Sequence, residues 1–269
     1  MSVLQALLLG AVQGLTEFIP ISSSGHLVLV PAALDWNEPG LAFDVLLHLG
    51  SLVALVAYFL GDLIDIWRGL RARDAGARRL VLLLVIASVP AGVAGLLLGD
   101  YFERAFTDAQ ASAVQLLITA AILVAGEQVL GFHERRTAAD GSRLRHLEDM
   151  NSRDAGLIGV AQAISILPGI SRSGATIATG LGLSITRDDA ARFSFLLAIP
   201  ALVGAALVEV PDVEFGSVLG WGAGAAGFLA SLVTSYAAIW GLIRYLRTNT
   251  LYPFAAYCVI AGIFFLIVI

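Results

Sequence analysis

The chain reads as an all-α polytopic membrane protein: inverted-topology repeats carrying six transmembrane helices and two re-entrant helical hairpins. Three observations predict this. Composition is the first: 58% of the 269 residues are hydrophobic, 14% are charged and the mean hydropathy is +0.86, far outside the range of a soluble domain. The second is a set of six apolar stretches, each close to the ~20 residues that cross a bilayer. The third is a polar motif that recurs at an offset of 149 residues. Gly10-x-x-Gln13…Ile21-Ser22-Ser23-Ser24-Gly25-His26 returns as Gly159-x-x-Gln162…Ile170-Ser171-Arg172-Ser173-Gly174-Ala175.

The first apolar segment, 1–34, is broken in its middle by Pro, Gly and Ser. It is too long for one crossing and too short for two plus a turn. A helix–break–helix hairpin fits, because irregular backbone at membrane depth survives only inside protein or beside a wet cavity. Spans follow at 41–67, 80–98 and 113–131. Polar sequence at 132–153 is the linker, with repeat one at 1–131 and repeat two from 151 to 269. Segment 155–186 is broken like the first, and spans at 190–209, 217–243 and 252–269 complete the chain.

Arginine sets the orientation. Loops 68–79 and 132–153, Arg187 and Arg192, and Arg244 and Arg247 hold 14 of the 16 basic residues and are read as cytoplasmic. Asp35, Glu38, Asp100, Glu103, Asp108, Glu209, Asp212 and Glu214 mark the opposite side. Between the inside loop 132–153 and the outside loop 209–216 the chain crosses an odd number of times, so the broken segment 155–186 returns to the side it entered. The same parity makes 1–34 return outside and leaves both termini outside. Sites in such folds lie near the midplane, where broken helices meet.

Composition also excludes. No strand-like alternation supports an outer-membrane barrel. Cys258 is alone, so neither a disulfide nor a cysteine metal site can form. Net charge is -5 and no basic face is interleaved with aromatics, so nucleic acid is not a partner and the bilayer is.

The two tips differ where chemistry would sit. Gln13 and Glu17 are four apart on an apolar helix and share a face. A carboxylate at membrane depth needs a partner, either a neighbouring helix or a hard cation such as Mg²⁺ or Ca²⁺, with Gln13 as a second ligand. Ser22, Ser23, Ser24 and Gly25 offer hydroxyls and adaptable backbone, and His26 an imidazole. One of the serines is an ordinary helix N-cap. In the second tip, Arg172 either pairs with Glu17 or grips a phosphate, for which a guanidinium fork and a helix N-terminus both suit. Ser171, Ser173, Gly174 and Thr176 surround it. A metal-ligand carboxylate, an arginine, hydroxyls and a histidine fit phosphoryl transfer, and the membrane setting points to a lipid carrying the phosphate. Asp44 and His48, at i and i+4, either brace this site or are structural. Glu127, Asp62 and Asp65 are read as reaching the interface from helix ends.

The stretches "QGLTEFIPISSSGHL" at 13–27 and "LPGISRSGAT" at 167–176, supported by "FDVLLHLGS" at 43–51, resemble the undecaprenyl pyrophosphate phosphatase (undecaprenyl-diphosphatase) family, associated with bacitracin resistance. The likeness covers essentially the whole chain. It implies a plasma-membrane enzyme of bacteria that takes a polyprenyl diphosphate lipid, removes the terminal phosphate and so recycles the carrier for cell-wall synthesis. It further implies dependence on a divalent metal and a pocket open to the periplasmic side. The family's catalytic serine and histidine fall on Ser23 and His26, and its phosphate-binding arginine on Arg172. Its Glu/Gln-x-x-x-Glu motif falls on Gln13 and Glu17, here in the glutamine form, which leaves one carboxylate. Ser23, His26 or water could be the nucleophile, with His26 as base in the first case. A homodimer is compatible with all of this. The competing class is a lipid or small-solute transporter or flippase, which shares the inverted-repeat signature.

Overall fold

A computed structural model describes residues 1–37, 40–106, 108–209 and 221–269. Glu38, Asp212, Glu214 and residues 217–220 of the fifth expected span lie outside these, as do the side chains of Asp100, Glu103 and Glu209. Eleven α-helices are described: α1 Val3–Phe18, α2 Ser23–Ala33, α3 Leu41–Tyr58, α4 Leu60–Arg71, α5 Ala75–Phe106, α6 Ala109–Asp140, α7 Ser152–Ile164, α8 Arg172–Gly182, α9 Arg187–Glu209, α10 Trp221–Leu246 and α11 Tyr252–Val268. The protein is an all-α polytopic membrane protein.

Five helices are long and apolar enough to cross: Leu41–Tyr58, Ala75–Gly99, Ala109–Asp140, Arg187–Val208 and Gly222–Leu246. The sixth expected span is the 17-residue α11. The span expected at 41–67 ends early, at Tyr58, because Phe59 leaves helical backbone (φ -91, ψ 14). Beyond it α4 is amphipathic. Leu60, Ile64 and Trp67 form an exposed stripe, while Asp62 turns inward to Arg192. Helix α6 runs on to Asp140, so the first part of the linker is helical.

Each broken segment does form two short helices. Helix α1 starts on a capping box between Ser2 and Gln5. It stops at Ile19 because Pro20 disfavours helical backbone in the residue before it. Helix α7 starts on the Asn151–Asp154 box and ends at Ser165, ahead of Pro168 and Gly169. The tips reverse the chain differently. In the second, Gly169 takes the left-handed conformation (φ 95). The equivalent residue of the first is Pro20, so the positive φ falls on Ser22 (φ 68), where a side chain makes it costly.

Helix contacts cross between the halves of the chain: α1 packs on α10, and α7 on α5. Apolar burial drives little helix association in lipid, so close fit must do it, and small residues permit that fit. A Cβ on Gly10 or Gly14 would overlap backbone or hydroxyl oxygens of α10. One on Gly159, the counterpart of Gly10 in the repeated motif, would lie 2.6 Å from the Ala87 carbonyl oxygen of α5. We expect Gly10→Val and Gly159→Val each to destabilise the fold by more than the ~1–3 kcal/mol of ordinary overpacking, because rigid backbone receives the clash. Lowered thermal midpoints in detergent would check this, with Gly92→Val, which meets open space, as the control. Phe18, Phe59 and Phe195 pack edge to face and join α1 to α9 in the main core.

The basic segments gather at one end. Arg79 donates to the carbonyls of Glu148 and Met150. Arg145 donates to Asp154, at the start of α7, and to the Leu183 carbonyl, just past α8 (3.2 Å). This one arginine therefore ties together the entry and the exit of the second hairpin. Asp154 also holds the Arg145 guanidinium above its ordinary pKa. Glu127 does not reach the interface as expected; it is 2% exposed. Arg187 neutralises it at 2.7 Å and the Leu251 amide donates to it at 2.8 Å. Such burial is tolerated only for a charge that is both paired and hydrogen-bonded.

Candidate functional site

The two tips meet. A Cβ on Gly25 would lie 3.0 Å from the Gly169 Cα, and Ser173 Oγ donates to the Ile19 carbonyl at 3.4 Å. Between them sits Glu17, buried near the end of α1. Arg172 Nη2 donates to its Oε1 at 2.5 Å. Ser23 Oγ donates to its Oε2 through a short hydrogen bond. Gln13 Nε2 donates to the same Oε2 at 3.1 Å, as the i,i+4 spacing predicts. Thus a hydroxyl from the first tip and a guanidinium from the second share one carboxylate.

Two buried polar atoms at this centre have no hydrogen-bond partner among the described residues: Arg172 Nη1 and Gln13 Oε1. Unsatisfied buried groups are rare and call for a physical reason. Both lie on residues that already contact Glu17, so each can receive a ligand without breaking an existing bond.

The expected pairing of Ser23 with His26 does not appear. The i to i+4 geometry of α2 puts His26 Nδ1 2.7 Å from the Ser22 carbonyl oxygen, and Nε2 lies 2.8 Å from the Tyr257 hydroxyl. Several expected phosphate-site groups are used locally instead. Ser22 Oγ and Ser171 Oγ accept the Gly25 and Gly174 amides as helix caps. Ser24 Oγ lies 3.3 Å from Ser22 Oγ. Thr176 Oγ1 donates to the Arg172 carbonyl and lies 2.7 Å from Ser194 Oγ.

Other residues enter the site without having been singled out. Thr119 of α6 donates to the Gly169 carbonyl at 2.8 Å and accepts the Ser171 amide at 3.0 Å, fixing the second turn. Ser51, Ser231 and Ser235 form a buried cluster behind Gln13. Tyr257 reaches His26 from α11. Hydroxyl residues in apolar helices most often bond their own backbone, so no sequence pattern marked these. His48 was marked by its spacing from Asp44. Its Nδ1 lies 2.8 Å from the Asp44 carbonyl oxygen, which leaves Nε2 facing Glu17 at 3.9 Å.

The donor set bears on the expected divalent ion. One carboxylate is present, and no group of three His, Cys, Asp or Glu that could hold a metal occurs among the described residues. One carboxylate with Gln13 Oε1 as a free oxygen acceptor fits a hard divalent ion, Mg²⁺ or Ca²⁺, that draws its remaining ligands from water and phosphate oxygens.

Known proteins resemble this chain along its whole length. A protein from Thermomicrobium roseum named undecaprenyl-diphosphatase is 42% identical over 282 residues, covering 100% of this chain and 99% of that protein. Proteins of the same name from Alcanivorax borkumensis (42% over 265 residues, 96% of each) and Methanosphaera stadtmanae (38% over 283 residues, 98% of this chain and 96% of the other) agree. The sequence model described as "Bacitracin resistance protein BacA" matches residues 6–264, and the chain belongs to that family.

Proposed function

We propose that this protein is an undecaprenyl-diphosphatase: a membrane enzyme that hydrolyses undecaprenyl diphosphate to undecaprenyl phosphate and inorganic phosphate, returning the carrier lipid to peptidoglycan synthesis. The observation that carries the reading is one buried carboxylate, that of Glu17, holding Ser23 on one oxygen and Arg172 on the other. That arrangement supports a reading in which the Ser23 hydroxyl is the nucleophile and Arg172, beside it, binds the phosphate. The names of the relatives supply the substrate.

In this reading the Arg172 guanidinium receives the terminal phosphate through its open Nη1. A fork of N–H donors suits phosphate oxygens and neutralises charge as it spreads in the transition state. Ser23 Oγ attacks the terminal phosphorus while its proton passes to Glu17 Oε2, which already accepts it. The bond from that phosphorus to the bridging oxygen breaks, and the lipid monophosphate leaves with the electron pair. Water then attacks the phosphoserine, the serine oxygen takes back its proton, and phosphate departs. A divalent cation, Mg²⁺ or Ca²⁺, held by Glu17 and Gln13 Oε1 would add positive charge against the diphosphate. Residues Ser22, Gly25, Ser171 and Gly174 keep the two loops in place.

The same reading places the pocket and both termini on the outer side of a bacterial plasma membrane. Its support is the gathering of the arginine-rich segments at the opposite end, as the positive-inside tendency demands. Arg145, bridging entry and exit, supports a second hairpin that returns to that end. The reciprocal seating of Gly10 on α10 and Gly159 on α5 supports two repeats with swapped partners.

The test is phosphate release from a long-chain isoprenyl diphosphate by purified protein in detergent, with Mg²⁺, with Ca²⁺ and with chelator. Metal-dependent release is expected, and Arg172→Ala should lower it by at least about 10²-fold, the scale of one charge-stabilising donor. No release from folded wild type would overturn the enzyme reading and favour lipid transport.

A further inference from the structure

We propose that Tyr257 and His26 form a positioning pair that clamps the first tip, so that His26 acts on the site through the backbone of Ser22 and not as the base of Ser23. The inference rests on the phosphatase reading for what the site does, but its geometry stands apart from that reading.

A carbonyl oxygen can only accept, so the 2.7 Å contact with Ser22 puts a proton on His26 Nδ1. In the neutral ring Nε2 is then the lone-pair nitrogen, and the Tyr257 hydroxyl at 2.8 Å is its donor. Both nitrogens are engaged, and His26 is buried. The ring is also fixed in its plane. Tyr257 stacks on it with centroids 5.7 Å apart and planes 18° from parallel, and Phe265 meets it edge-on at 6.2 Å.

What this fixed ring holds is the strained residue of the tip. Ser22 sits at φ 68, and its carbonyl accepts both the His26 amide, at 3.3 Å, and the imidazole Nδ1–H. Strain of this kind persists only where surroundings over-determine it, and it concentrates at functional sites. The Ser22 ψ torsion sets the direction of the next residue, Ser23, and hence the aim of Oγ at Glu17. Releasing the Ser22 carbonyl would let that torsion relax and carry the hydroxyl away. The second tip needs no such clamp, because Gly169 takes the positive φ there, and Ala175 stands where His26 does. The clamp is built across the chain: Ser22 and His26 come from the first hairpin, and Tyr257 from the last helix, 231 residues on from His26.

The test uses whole protein in detergent. Long-range ¹H–¹⁵N correlation of histidine-labelled wild type, with the His26 signals identified by their loss in His26→Ala, should show His26 as the Nδ1–H tautomer. This arm uses no substrate, so a wild type without phosphate release would sink the phosphatase reading and leave the tautomer result standing. Tyr257→Phe keeps the stacked ring and removes the donor. It should shift the His26 Nε2 resonance and lower kcat about 10-fold to 10²-fold, the cost of small misplacement at a reacting centre, with KM within about twofold. Adding Tyr257→Phe to His26→Ala should cost nothing further, since the two act as a unit. An Nε2–H tautomer in wild type, an unchanged kcat in a folded Tyr257→Phe, or additive losses in the double variant would each overturn the proposal.

Discussion

Ser23→Ala is expected to lower phosphate release by at least about 10³-fold while leaving KM nearly unchanged, because removing a nucleophile takes away an interaction made only along the reaction path. The serine hydroxyl donates a hydrogen bond to Glu17 in the resting protein, so the alanine variant leaves that carboxylate oxygen with Gln13 alone among its present donors. Rapid quench of wild type with a terminally labelled substrate should trap phosphate on the peptide that contains Ser23. Near-normal turnover in Ser23→Ala would remove the serine from the mechanism. Label on His26 would overturn both the serine step and the clamp.

Glu17→Gln should be equally damaging to turnover, by about 10²–10⁴-fold, the range for a lost acid–base group. It should also destabilise the fold. The variant keeps shape and leaves Arg172 in a protein interior without its counter-charge, and breaking a buried pair from one side costs ~3–5 kcal/mol. The two effects can be separated. In Glu17→Gln/Arg172→Met no unpaired charge remains, so the thermal midpoint in detergent should recover most of its loss while phosphate release stays at the Glu17→Gln level or below. A double variant no more stable than Glu17→Gln would show that the pair contributes little to folding. Recovery of turnover would mean that the carboxylate is not the base.

Much of this was legible in the sequence because lipid punishes exposed polarity. Glycine, proline and serine could interrupt apolar segments 1–34 and 155–186 only at protected turns, so the two tips announced themselves. Glu17 and Arg172 were readable as partners because each lacked any other opposite charge nearby. What stayed hidden depended on angles. Ser23 and His26 are three apart and invite pairing, yet α2 aims the histidine back at the carbonyl four residues earlier, and the Pro20 turn swings the serine to Glu17. Tyr257 and Thr119 are single polar residues in spans, with no spacing to link them to the tips. The break at Phe59 was hidden because apolar residues continue past it; only their one-sided spacing separates α4 from a crossing helix. Glu127 falls near the end of the expected span 113–131, where reach to water is the usual outcome, but α6 runs on to Asp140 and its partner Arg187 lies 60 residues on.

The pairing of Glu17 with Arg172 also has a consequence for biogenesis. The two residues are 155 positions apart. At synthesis rates of about 5–20 residues per second, the glutamate is made roughly eight to thirty seconds before the arginine that neutralises it. Throughout that interval the first hairpin lacks its counter-ion. It must wait in protonated form, or beside water or the insertion machinery, and it can settle at depth only when the second hairpin arrives. The nascent first half is thus a transient client of whatever shelters polar segments during insertion, and docking of the second hairpin is the step that completes both the fold and the reactive centre.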